Sequence, residues 1–129
     1  MDRAGVAGAL IVQPGNHLYD HSYVTSVLRA APTRFVGCLL ADPRPEGGEA
    51  ELRRLVNEEG YRAVRFNPYL WPEGERMTNA RGRAMYAAAG ELGVPVSHMP
   101  FKGLLLHIDE IETLCVDYPQ TKVCVFGWC

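Results

Sequence analysis

Five polar side chains stand at the downstream ends of apolar runs: Gln13, Asp42, Arg65, Asn67 and His98. The runs are strand-like, and binding sites of α/β proteins are built where strands hand over to loops. A guanidinium at such a place, Arg65, can pair with a carboxylate, and the amides of Asn67 and Gln13 can hydrogen-bond a carbonyl. Arg65 and Asn67 are two residues apart, which puts both on one face of a strand and sends Val64 and Phe66 to the other. His98 is a candidate metal ligand, because neutral imidazole is a common one. Strand ends also need polar groups to satisfy loop backbone, and Gln13 and Asp42 suit that role as well.

Other residues fit simpler roles. His17 and His21 are four apart, as on a helix that binds zinc, but the intervening Glu of that pattern is missing. With Asp20 and Ser22 beside them, they are expected to be surface histidines at a capped helix start. His107 opens a helical stretch. Trp71, between Leu70 and Pro72, either covers the mouth of the strand layer or packs within it. Lys102-Gly103 has no phosphate-loop pattern around it, and dinucleotide fingerprints are absent.

The elements that must position these residues alternate regularly. Strands are expected at Gly8 to Gln13, Phe35 to Ala41, Ala63 to Asn67, Val94 to Met99 and Lys122 to Phe126, each bounded by Gly, Pro, Asp or Asn. Their starts recur at roughly 30 residues, the length of a βαβ unit. Four helical stripes lie between them. Tyr23, Val24, Val27, Leu28 and Ala31 follow Asp20 or Ser22 as cap. Ala50, Leu52, Leu55 and Val56 are closed by Gly60. Met85, Ala88, Ala89 and Leu92 start behind Thr78 or Asn79 and stop at Gly93. Ile108, Ile111, Leu114 and Cys115 follow a first turn rich in Asp and Glu. A mostly parallel sheet with right-handed crossovers is the expected result, either open and doubly wound or part of a (β/α)8 barrel.

Composition narrows the field. The 129 residues, 47% hydrophobic and 22% charged, suit one folded domain. A net charge of -2 gives no reason to expect nucleic acid or an anionic membrane as partner. The cysteines Cys38, Cys115, Cys124 and Cys129 form no C-x-x-C pair, three of them sit in apolar runs, and they are read as buried reduced thiols. No apolar run reaches the roughly 20 residues of a membrane span, and the first residues lack a secretory pattern. A cytoplasmic protein is expected.

Several segments, in order, resemble the amidohydrolase-related (metal-dependent hydrolase) proteins. Ala4-Gly5-Val6 through Val12-Gln13-Pro14 is similar to that family's second strand. Pro32-Thr33-Arg34-Phe35-Val36-Gly37 with Ala41-Asp42-Pro43 is similar to its third, and Gly60 through Asn67 to its fourth. Glu91-Leu92-Gly93-Val94-Pro95-Val96 resembles the approach to strand five, and Tyr118-Pro119 precedes strand six. Asn16-His17, Asp20-His21-Ser22-Tyr23 and Arg65 through Pro72 resemble the plant branch. The resemblance implies a (β/α)8 barrel, with residues 1–129 as strands two to six of eight, hence about five parallel strands with helices on the outer face only. It implies metal-assisted hydrolysis or decarboxylation of a small carboxylate, lactone or amide substrate, with a divalent metal such as zinc in complete relatives.

The departures are equally specific. The family's H-x-H strand has no counterpart here, and Phe126-Gly127 stands where strand six carries Asp-His. His98 is one residue from the family's strand-five His position, occupied here by Met99, and a one-residue offset turns a strand side chain to the opposite face. The expectation is therefore a chain truncated at both ends that binds no metal by itself. The alternative to an enzyme is a catalytically inert product of the same family that acts, if at all, by binding. Open sheet edges would favour self-association.

Overall fold

Alternating apolar runs and helical stripes become a single parallel sheet with one helical layer in the computed structural model, which describes residues 1–125. The strands are β1 (Ala9–Val12), β2 (Phe35–Leu40), β3 (Tyr61–Phe66), β4 (Val96–His98) and β5 (Val123–Val125). They pair in sequence order, β1-β2-β3-β4-β5, and every pair is parallel. Sequential order follows from right-handed crossovers of one kind repeated along the chain. Strands start close to the expected places, though β3 begins two residues before Ala63. β4 is shorter than expected, because Pro95 donates no N–H to the ladder.

Between the strands lie α1 (Ser22–Ala30), α2 (Glu49–Glu58), α3 (Ala80–Leu92) and α4 (Ile108–Asp117). Asp20 serves α1 from outside the helix, its Oδ1 accepting from the Ser22 N–H at 3.0 Å. For α3 the cap is Asn79, whose Oδ1 accepts from the Gly82 N–H at 2.9 Å, and Gly93 closes the helix at φ +70°. Gly82 is required by contact: a Cβ there would run into the Met77 carbonyl oxygen. The buried Glu110 in the first turn of α4 accepts from the Met77 N–H at 2.8 Å, tying the loop before α3 to α4.

All four helices pack on the same side. Val24 and Leu28 of α1, Leu52 and Leu55 of α2, Met85 and Tyr86 of α3, and Ile111 and Leu114 of α4 share one core with Leu39, Val64, Phe66 and Val96 of the sheet. The opposite face carries no helix among the described residues. A doubly wound sheet would cover both faces, so the single layer excludes that alternative. Trp71 packs in the helix-side core, tilted against Phe66 with ring centroids 5.3 Å apart. Of the described cysteines Cys38 is buried, Cys115 half-buried and Cys124 exposed, so the expectation of buried thiols holds only in part. Trp128, Cys129 and the Phe126-Gly127 departure lie outside the described residues.

Candidate functional site

The helix-free face holds a cavity of about 330 Å³. Leu10, Val12, Ala63 and Pro95 supply apolar walls, and Arg65 is its charged member. Alternation puts Arg65 there, since Val64 and Phe66 on either side of it enter the core. Its Nη2 donates to the Gln13 carbonyl at 2.7 Å, and its Nη1 reaches only the Met99 sulfur at 3.4 Å. Its Nε is buried and unpartnered. No carboxylate among the described residues pairs with it. Burial lowers the pKa of this guanidinium, yet arginine stays charged in proteins. The result is a half-buried cation with spare donors facing an apolar space.

Ser97 is the neighbour the sequence reading passed over. It is registered beside Arg65 across the β3–β4 pair, lines the same cavity, is 2% exposed, and its hydroxyl has no partner. The only sequence sign was a lone hydroxyl inside the apolar run Val94 to Met99. Cys38 and Cys124 also reach this cavity. Burial pushes the Cys38 thiol up to about 11, which makes it a poor nucleophile and a poor ligand.

The other expected site residues are placed elsewhere. His98 lies on the helix side, where its Nε2 is 3.1 Å from the Tyr86 hydroxyl and its ring meets Phe66 edge-on. Burial brings its pKa down to about 4, so it is neutral and turned away from the cavity; the metal-ligand assignment is corrected by the strand's alternation. Gln13 is fully buried, and its Nε2 donates to the carbonyls of Leu18 and Asp20 at 2.9 and 2.8 Å. Its side chain pins a loop, and only its main-chain oxygen meets Arg65. β3 ends at Phe66, and Asn67 just beyond it is still extended; its Oδ1 accepts from the Tyr69 N–H at 3.1 Å and caps the short turn Pro68–Leu70. Asp42 is held by Arg44 through two contacts of 2.9 and 2.8 Å.

His21, expected at the surface, is instead buried. Its Nε2 accepts from the Leu40 N–H at 3.0 Å and its Nδ1 donates to the Tyr19 carbonyl at 3.0 Å. Both ring nitrogens thus clamp the β1–α1 loop to β2. His17 is exposed. His107 precedes α4 without a side-chain cap, its ring edge-on to Tyr69.

No group of three or more His, Cys, Asp or Glu among the described residues could hold a metal ion. The donors on the helix-free face are thiols beside a guanidinium, a set that disfavours a hard divalent cation. The described residues therefore do not fit such a metal. No helix among them is long and apolar enough to cross a membrane.

Solved structures share this architecture. A probable 2-pyrone-4,6-dicarboxylic acid hydrolase from Acinetobacter baumannii, with citric acid bound, is 15% identical with a TM-score of 0.71, the match covering 96% of this chain and 43% of that one. A TIM-barrel protein from Bordetella bronchiseptica is 21% identical with a TM-score of 0.71, over 95% and 47% of the two chains. A 5-carboxyvanillate decarboxylase from Novosphingobium aromaticivorans, with bound manganese, is 15% identical with a TM-score of 0.66, over 97% and 47%. The chain thus spans less than half the length of these proteins. Curated protein sequences gave no match. A family model described as "Amidohydrolase" matches residues 1–125, and the chain belongs to that family.

Proposed function

We propose that this chain supplies the sector of an amidohydrolase-type barrel that binds the carboxylate of a small organic acid, with Arg65 as the anchoring cation. One observation carries the reading: Arg65 is a half-buried guanidinium in an apolar cavity with an unpartnered Nε and no carboxylate beside it. A buried charge without a counter-ion is costly, and an incoming carboxylate would remove that cost. The acids in the names of the Acinetobacter and Novosphingobium proteins support the choice of substrate class. Metal-assisted hydrolysis or decarboxylation belongs, on this reading, to complete barrels of the family, whose plant branch this chain resembles. The described residues contribute binding.

Isothermal calorimetry with benzoate, and with benzamide as its neutral counterpart, tests this reading. Benzoate is expected to bind the wild-type chain and benzamide to bind more weakly. Arg65→Met should weaken benzoate by roughly tenfold or more, the worth of a charge-assisted hydrogen bond. Equal affinity for the two compounds, or for the two proteins, would refute it. A second reading, binding without any chemistry, is favoured by the place of His98 on the helix side, where its ring meets Tyr86 and Phe66 and is turned away from the Arg65 cavity.

A further inference from the structure

We infer that Ser97 is the second half of the anion site, its hydroxyl and the Arg65 Nε each donating to one oxygen of a bound carboxylate. The inference deepens the Arg65 reading and rests on it. Arg65 and Ser97 are registered neighbours on adjacent parallel strands, and such strands lie about 4.8 Å apart. Their side chains line the same cavity. Both Arg65 Nε and Ser97 Oγ are buried without a partner.

A buried hydroxyl with no hydrogen bond is destabilising, and alanine would fill a strand position here without that cost. One such orphan is a blemish, but two on neighbouring residues that line one cavity form a donor pair. Two donors on adjacent strands suit the two oxygens of a planar carboxylate better than a single acceptor. The surrounding walls, Leu10, Val12, Ala63 and Pro95, suit an apolar body attached to that carboxylate. An aromatic or short aliphatic monocarboxylic acid is therefore the class of ligand expected. Arg65 Nη1, which now reaches only a thioether sulfur, a weak acceptor, can turn to the ligand without losing a strong bond.

The test compares wild type, Ser97→Ala and Arg65→Met in benzoate calorimetry, with thermal unfolding of each protein measured without ligand. Ser97→Ala is expected to raise the unfolding temperature or leave it unchanged, and to weaken benzoate roughly five- to tenfold. A merely structural serine would move stability and affinity down together. Should Ser97→Ala lower the unfolding temperature, Ser97→Cys, of similar size but a poor donor, carries the comparison and is expected to show the same loss of affinity. Wild-type affinity in both Ser97 variants, with binding lost in Arg65→Met, would overturn the role of Ser97 and leave the Arg65 reading intact. Absence of benzoate binding by the wild-type chain would overturn both.

Discussion

Two histidines of this chain are held neutral by their surroundings, and that makes its stability sensitive to mild acid. His98 is fully buried against Phe66 and Tyr86, and burial brings its pKa down to about 4. His21 is lowered too, chiefly by burial, and its Nε2 can accept from Leu40 only while unprotonated. In the unfolded chain both titrate near 6.5. A depressed folded-state pKa means stability that is complete above about pH 6.5 and is lost as pH falls toward 4. For His98 alone the loss approaches about 3 kcal/mol at the bottom of that window. Urea midpoints at pH 7.5, 5.5 and 4.5 should fall steadily, and His98→Phe should start lower yet fall less steeply. Equal slopes for the two proteins would refute the assignment of His98. The helix-side place of His98 was legible in the sequence, because its one-residue offset from Met99 turns it to the opposite face of the strand. The burial of His21 was not, since it depends on a β2 amide 19 residues away.

At the scale of elements, the sequence patterns located the five strands and four α-helices of the described residues but not the short 3-10 turns and loops between them. Apolar alternation and helical stripes are local, so the order β-α-β could be read directly from spacing. Asn67 and Gln13 both belong to strand exits, where a polar side chain can face a ligand or satisfy loop backbone, and spacing alone does not separate the two roles. In the structure both side chains bond loop backbone: Asn67 caps Pro68–Leu70 and Gln13 holds the Leu18 and Asp20 carbonyls. Gly82 shows the same limit inside a helix. By propensity, Gly82→Ala in α3 would stabilise by about 1 kcal/mol. The Met77 carbonyl occupies the place of the new methyl group, and the loop carrying Met77 is fixed by Glu110, so neither side can yield cheaply. Gly82→Ala is expected to destabilise by about 1–3 kcal/mol instead, read from urea unfolding. A variant as stable as wild type or more so would show that the loop moves aside.

For the molecule as a whole, the outcome of an open sheet is set by its two boundary strands. Among the described residues β1 pairs only with β2, and β5 only with β4. Each therefore presents one row of unpaired backbone groups, which in a closed barrel would be satisfied by neighbouring strands. The flanks are apolar as well: Leu10 and Val12 of β1 are 45% and 37% exposed, and Val125 of β5 is 41% exposed. Natural edge strands are commonly blunted by inward charges, bulges or proline, and β1, with the sequence Ala-Leu-Ile-Val, has none of these. The helix-free face adds further apolar surface beside β1. The isolated chain is thus expected to associate through β1, giving light-scattering masses above the 14.3 kDa of one chain and rising with concentration. Leu10→Lys places a charge on the exposed edge without touching the helix-side core, and should shift the distribution toward the single-chain mass. A wild-type chain that stays at that mass at high concentration would refute the argument. So would a Leu10→Lys variant that associates as strongly as wild type, because it would mean that β1 is not the surface through which the chains meet.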